Sequence, residues 1–139
     1  MTFNGALFFL CMTLLGAVQG EERFRGRLSP VPIDATTRAT VTGSGSVTAV
    51  LTGTTLSITG TFEGLGGPAT VARLHQGAAT GVRGPALTEL TISKATRGTL
   101  SGTVTLTAEQ AGNLKNGRLY IQIHSEKAPD GNLWGWLLR

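Results

Sequence analysis

Alternation of apolar and polar residues is the dominant pattern along most of this chain. From Ala39 to Leu51, apolar residues and glycines occupy every second position, and the residues between them are threonines and serines except for Val50. This period of two is typical of strands that bury one face. It returns in Thr54–Phe62, Thr70–His75, Leu87–Ile92 and Thr99–Leu106. The pattern therefore predicts an antiparallel, all-β domain.

Turn residues and one capping motif separate the predicted strands. Gly53 predicts a hairpin between the second and third strands, and Gln76–Pro85, with three glycines and one proline, predicts a longer loop. Thr107 and Gln110 form a capping box that predicts a short helix over Ala108–Lys115. Seven or eight short strands with one connecting helix predict a Greek-key β-sandwich or flattened barrel.

Residues 1–20 differ in composition from the rest of the chain. They contain no Asp, Glu, Lys or Arg, and their apolar run, Ala6–Val18, is shorter than the roughly 20 residues that a membrane span needs. This segment is predicted to be a signal peptide, followed by one secreted or periplasmic domain, residues 21–139, without a transmembrane segment. Because Cys11 lies in the predicted leader, the mature domain has no cysteine and no disulfide.

The formal net charge is +4, and most of the 12 basic residues are spread along the chain. Arg23, Arg25 and Arg27 form the one group, on alternate positions of the first predicted strand. We interpret them as the solvated outer face of an edge strand, with an anion site as the alternative. No nucleic-acid partner is expected, because the chain has neither a basic helix nor an aromatic stacking motif.

The segment Arg118–Arg139 predicts a terminal hairpin that carries both tryptophans. With its loop centred on Ala128, Gln122 pairs with Trp134, and a one-residue shift would exchange the two faces. The outer face then receives these side chains: Tyr120, His124, Trp134 and Trp136. Together with Arg73, the aromatic residues predict a docking patch for an unidentified protein or cell-surface partner. The alternative is that another strand, the helix or a second copy in a homo-oligomer covers them.

Both histidines of the chain, His75 and His124, lie on predicted strands. Near one end of the barrel they form a candidate zinc or copper site. Carboxylates near them in the predicted fold are Glu89, Glu126 and Asp130. The alternative is a structural role, with each imidazole hydrogen-bonded to a loop, and Arg73 on the face of His75 would repel a cation. No catalytic residues are predicted, since the chain lacks a recognisable triad, phosphate loop or HExxH motif.

Three segments, taken in order, resemble the chordin-type domain family, CHRD, as found in bacterial secreted proteins. They read ARLHQGAATGVRGPAL, LTAEQAGNLKNGRLYIQIHS and PDGNLWGWL, and the resemblance spans about Phe24 to Leu138. It implies an immunoglobulin-like β-barrel with limited similarity to copper-zinc superoxide dismutase. The family has no well-established biochemical function.

Two departures from the family pattern bear on chemistry. Family members often read AHIHG where this chain reads ARLHQG, so Arg73 replaces a histidine, and no histidine follows His124. A redox copper site needs about three or four nitrogen ligands, which argues against superoxide dismutase activity. The sequence thus predicts a non-catalytic binding or structural module, acting through loops and the terminal hairpin and needing no cofactor. A copper- or zinc-binding protein that uses His75 and His124 is the alternative.

Overall fold

The structure is a computed structural model that describes residues 20–139. The predicted signal peptide, apart from Gly20, therefore lies outside the described residues. Within them the chain forms eight strands and one helix, in this order: β1 (Glu21–Pro30), β2 (Ser44–Thr52), β3 (Thr55–Glu63), β4 (Ala69–Gln76), β5 (Ala86–Ile92), β6 (Gly98–Thr105), α1 (Ala108–Lys115), β7 (Leu119–Ser125) and β8 (Leu133–Trp136).

The strands close into a barrel with the order β1-β2-β3-β6-β5-β4-β7-β8. Every neighbouring pair is antiparallel. Strands β4, β5 and β6 are neighbours in chain order, whereas β3, which precedes β4 in the chain, lies beside β6. The connection from β3 to β4 therefore bypasses β6 and β5, which is the Greek-key arrangement. The prediction of an all-β, Greek-key barrel of seven to eight strands with one helix is confirmed.

The alternating pattern fills the barrel interior with one side of each strand. Phe24 and Leu28 of β1 are fully buried, as are the inward residues of the neighbouring strands. Removing this apolar surface from water is the main stabilising contribution to the fold. The largest fully buried aliphatic side chains are Leu28, Leu56, Ile58, Leu74, Leu100, Leu114, Leu119, Ile121, Ile123 and Leu133.

Strands β2 and β3 form the predicted hairpin. Thr52 pairs with Thr55, so the connection is the two-residue turn Gly53-Thr54. Gly53 has a positive φ of 64°, a conformation that two-residue hairpin turns require and that glycine adopts without steric cost. The local turn residue thus sets the register of the whole hairpin.

The prediction that a strand begins at Ala39 is wrong, because β2 begins at Ser44. The preceding residues form a turn in which Asp34 Oδ1 accepts hydrogen bonds from the amides of Thr36 (2.8 Å) and Thr37 (3.0 Å). Hydrogen bonds from Thr36, its hydroxyl first, lower the pKa of the Asp34 carboxyl. A side chain that bonds nearby backbone competes with strand pairing.

Strand β1 is not an edge strand, which corrects the expectation from the sequence. It pairs with β2 from Glu21↔Thr52 to Leu28↔Gly45, and on its other side with β8 at Ser29↔Trp134 and Pro30↔Leu133. Closure of the barrel leaves no free edge here, which is one way in which proteins avoid edge-to-edge association. The side chains of the three arginines are nevertheless on the outside and exposed.

Helix α1 spans Ala108–Lys115, as predicted, and connects β6 to β7. Thr107 accepts a hydrogen bond from the Gln110 amide, and the Gln110 side chain accepts one from the Thr107 amide, which completes the capping box. Gly117, with a φ of 73°, ends the helix. Among the described residues, no helix has the length and apolar character of a membrane span.

Candidate functional site

The terminal hairpin has the predicted register. Strand β7 pairs with β8 through Tyr120↔Trp136 and Gln122↔Trp134. The alternate residues face the core and are fully buried, including Leu119, Ile121, Ile123 and Leu133. Both tryptophans therefore lie outside the barrel, on the predicted face of the hairpin.

We call the outer surface of β4, β7 and β8 the aromatic face. Its central side chain is Tyr120, whose ring stacks on His75 at 4.8 Å and on Trp136 at 4.3 Å between centroids. Trp134 contacts Tyr120 and Trp136 edge-to-face, at 5.9 and 5.7 Å. Cross-strand pairing brings these rings together, because His75 and Trp136 lie opposite Tyr120 on the two neighbouring strands.

Tyr120 is buried, with 1% of its surface exposed, so the expectation that it lies on a solvent face is corrected. The β4–β5 loop, residues 77–85, folds over it. The Tyr120 hydroxyl accepts a hydrogen bond from the Gly84 amide at 3.1 Å and donates to the Gly84 carbonyl at 3.2 Å. A Cβ at Gly84 would overlap the Gln76 carbonyl oxygen, so only glycine fits where the loop passes this closely.

His75 supports the same loop from the neighbouring strand. Its Nδ1 lies 2.9 Å from the Gly84 carbonyl oxygen, which assigns the proton to Nδ1 as the donor. Burial lowers the pKa of His75, the hydrogen bond to Gly84 opposes this shift, and the charges of His124, Arg73 and Arg83 add to it. His75 is thus a neutral imidazole that stacks on Tyr120, and its buried Nε2 has no hydrogen-bond partner among the described residues.

His124 is bonded at both ring nitrogens. Its Nδ1 lies 2.8 Å from the Pro129 carbonyl oxygen and acts as the donor, and its Nε2 lies 3.2 Å from Nε2 of Gln122. In the neutral ring, Nε2 then accepts the Gln122 amide proton. His124 therefore connects β7 to the β7–β8 loop.

The expectation that the two histidines lie together at one end of the barrel is wrong. His75 pairs with Tyr120, whereas His124 pairs with Val71, four residues away along β4. At the rise of a β-strand this separates the two Cα atoms by roughly 13 Å. Gln122 lies between them and bonds His124. The fold therefore directs each imidazole to its own loop.

The carboxylates expected near the histidines are not gathered around them. Glu89 lies 3.8 Å from Arg73, with which it forms an exposed ion pair. Among residues 20–139, no group of three or more His, Cys, Asp or Glu side chains is close enough to hold a metal ion. Arg73, expected beside His75, does lie on the aromatic face, opposite Gln122 of β7.

Trp134 and Trp136 remain half-buried and form the accessible part of the aromatic face. The Arg83 guanidinium lies 5.5 Å from the centroid of the Trp134 ring, in a cation–π arrangement. The sequence patterns do not identify Arg83, because it reaches Trp134 only when the β4–β5 loop folds over the hairpin. Gly84 was missed for the same reason.

The fold and site together define a closed, antiparallel Greek-key barrel with an aromatic outer patch. The sequence profile of the CHRD domain matches residues 26–137, and the chain belongs to this family. No curated protein and no solved structure matches the chain significantly. The CHRD domain is of an extracellular type, is not known for enzymatic activity, and indicates a binding or structural module.

Proposed function

We propose that this protein is a secreted binding module that docks another protein through the exposed part of its aromatic face. The contact residues are Trp134, Trp136, Arg73 and Arg83. The observation that carries the proposal is the pair of half-buried indoles held side by side on a barrel wall. Trp and Arg are the residue types that most often dominate binding energy at protein interfaces.

The packing beneath the tryptophans supports this role. Trp136 rests on the buried Tyr120 ring, which is itself held by two hydrogen bonds to Gly84. Side chains fixed in this way lose little conformational freedom when a partner binds. The aromatic face is therefore a rigid platform. Arg83 adds positive charge for an acidic partner surface, whereas the charge of Arg73 is partly offset by Glu89.

The test is partner capture with matched variants. Wild type, Trp134→Ala and Arg83→Gln are immobilised and exposed to secreted and cell-surface proteins of the producing cell, and each captured protein is then titrated in purified form. We expect Trp134→Ala to weaken a specific partner by at least tenfold, in line with a hot-spot residue. Sedimentation of the wild type shows whether a second copy is itself the partner.

The control is Thr59→Ala, which lies on the opposite wall of the barrel and is exposed. It should bind as wild type does. The proposal is contradicted if folded Trp134→Ala binds every purified partner with the same affinity as wild type.

The alternative function is binding of copper or zinc by His75 and His124. Both imidazoles lie on one face, which is its support, but each Nδ1 is bound to a loop carbonyl and strand pairing places the two Cα atoms roughly 13 Å apart. Titration of both metals into wild type and into His75→Asn/His124→Asn separates the alternatives. Stoichiometric binding that the double variant abolishes favours the metal protein, whereas binding that is absent or unchanged leaves both histidines in a structural role.

A further inference from the structure

A second surface lies on the other side of the barrel from the aromatic face. It is the outer wall of β2, β3 and β6, centred on β3, which is four strands from β7 in either direction around the closed barrel. We call it the hydroxyl face. Of the 14 outward positions on these three strands, 12 are serine or threonine, and the other two are Val50 and Glu63.

The hydroxyl groups form a regular array. Strand pairing sets Ser46, Thr61 and Thr99 side by side in one row, and the next row contains Thr48, Thr59 and Ser101. The backbone positions that carry them are about 4.8 Å apart across the strands and roughly 6.7 Å apart along them. Within residues 20–139, none of the hydroxyls in these two rows makes a hydrogen bond to the protein. Each is free to donate one hydrogen bond and to accept others.

The rows continue onto β1 as a line of arginines. Arg27 pairs with Ser46, Arg25 with Thr48 and Arg23 with Val50, and all three arginines are exposed. None of them forms an ion pair with a carboxylate in the described part of the chain. The Cα atoms of successive arginines in this row are roughly 6.7 Å apart, so three positive charges are held on one short stretch of strand. A ligand with negative charges would reduce the repulsion between them.

Two adjoining depressions run across the hydroxyl face. One, of about 440 Å³, is lined by serine and threonine residues of all three strands. The other, of about 290 Å³, continues past Thr61 and Thr99 to Arg97 and Glu63. The groove therefore has hydroxyl groups along its floor and one carboxylate, Glu63, near its end. The β1 arginines do not line it but lie on the adjacent strand, opposite Ser46 and Thr48, with the carboxylate of Glu21 at the far end of the same row.

From this geometry we infer that the hydroxyl face binds an extended acidic polysaccharide. Arginine guanidinium groups pair in a bidentate manner with carboxylates, so Arg23, Arg25 and Arg27 match a polymer with repeated uronate groups. The serine and threonine hydroxyls supply the donors and acceptors that sugar hydroxyls require. Single-stranded nucleic acid fits less well, because its binding depends on aromatic stacking and these 14 positions carry no aromatic side chain.

The test is titration of the purified protein with alginate, with neutral dextran and single-stranded oligo-dT as comparison ligands, at low and at physiological ionic strength. We expect alginate to bind, dextran not to bind, and affinity to fall as salt increases. Replacing the three arginines together (Arg23→Gln, Arg25→Gln, Arg27→Gln) should weaken alginate binding roughly tenfold, the combined effect of three exposed ion pairs.

Two matched variants distinguish binding at the hydroxyl face from a general attraction of alginate to a basic protein. Arg38→Gln/Arg118→Gln/Lys127→Gln removes the same charge away from the hydroxyl face and should retain most of the affinity. Thr48→Val/Thr59→Val/Ser101→Ala removes hydroxyls without changing charge and should weaken binding severalfold. Circular dichroism and thermal unfolding show whether each variant is folded.

The inference fails if alginate does not bind, if the charge control loses as much affinity as the β1 variant, or if removal of the hydroxyls has no effect. Tighter binding of oligo-dT than of alginate assigns the face to nucleic acid and also overturns it. If a variant does not fold, the binding site is mapped on wild type by NMR chemical-shift changes during an alginate titration. The inference then requires that the shifts change in β2, β3 and β6 rather than in β7 and β8.

Discussion

At the scale of single residues, Gly84 connects the β4–β5 loop to the barrel wall. Its carbonyl oxygen receives hydrogen bonds from His75 and Tyr120, and its amide donates to the Tyr120 hydroxyl. Buried polar groups destabilise a fold unless they are hydrogen-bonded, so each of these three contacts offsets the cost of burying the groups that it joins. The aromatic face depends on this small network for its rigidity.

His75 makes the stability of this network depend on pH. Its pKa in the folded protein is below the ordinary 6.5, mainly because of burial. Between the two pKa values the unfolded chain binds a proton that the folded protein does not, so stability decreases as pH falls from about 6.5 toward the folded pKa. Above the unfolded pKa the full stability is present.

The measurement is the free energy of unfolding in urea between pH 7.5 and pH 5, for wild type and for His75→Asn. Asparagine keeps a donor near the position of Nδ1 but does not titrate in this range. We expect the stability of wild type to decrease more steeply toward low pH. Equal slopes for the two proteins would show that His75 is not the responsible group.

At the scale of single elements, α1 is a local structure with both ends defined by side chains. Thr107 begins it with the capping box, and Gly117 ends it with a positive φ. Its buried residues Ala111 and Leu114 pack against the barrel core. This anchors the crossing from β6 to β7, and with it the start of the terminal hairpin.

We expect Thr107→Ala to lower the free energy of unfolding by about 1 kcal/mol, because the Gln110 amide loses its acceptor. Thr107→Ser keeps the hydroxyl and should remain within a few tenths of the wild-type value. Urea unfolding of the three proteins measures the difference. A Ser variant as unstable as the Ala variant would indicate that the threonine methyl group, rather than the cap, is what matters.

At the scale of the whole molecule, the seam between β1 and β8 closes the barrel with few contacts. Only two residue pairs join these strands, with one isolated bridge between Arg25 and Leu138, whereas eight pairs join β1 to β2. Gly26 permits this seam, since a Cβ there would lie 2.9 Å from the Trp136 carbonyl oxygen. Added volume at Gly26 would therefore push β1 and β8 apart where few residue pairs hold them together.

Two matched glycine substitutions test this point. Gly26→Ala should destabilise the protein by roughly 1 to 3 kcal/mol through overpacking and should speed hydrogen exchange at the Leu138 amide. Gly112→Ala, in α1 with open space around the new Cβ, should stabilise it by about 0.5 to 1 kcal/mol. A neutral Gly26→Ala with unchanged exchange would contradict the proposed tightness of the seam.

The sequence by itself determined the local structure of this protein. Strand faces, the β2–β3 turn, the bounds of α1 and the register of the terminal hairpin all follow from periodicity and from nearby turn or capping residues. The resemblance to the CHRD family was also correct. The strand faces, the turn, the helix and the hairpin depend on interactions between residues that are close in the chain, and a sequence pattern shows these interactions directly.

Only the tertiary structure decided the features that depend on contacts between residues far apart in the chain. Closure of β1 against β8 turned an expected edge strand into an internal one, and the antiparallel pairing of β4 with β7 separated His75 from His124. Folding of the β4–β5 loop buried Tyr120 and brought Arg83 to Trp134. Strand alternation identifies a side chain's face, but it does not show which loop covers that face, because such contacts join residues far apart in the chain.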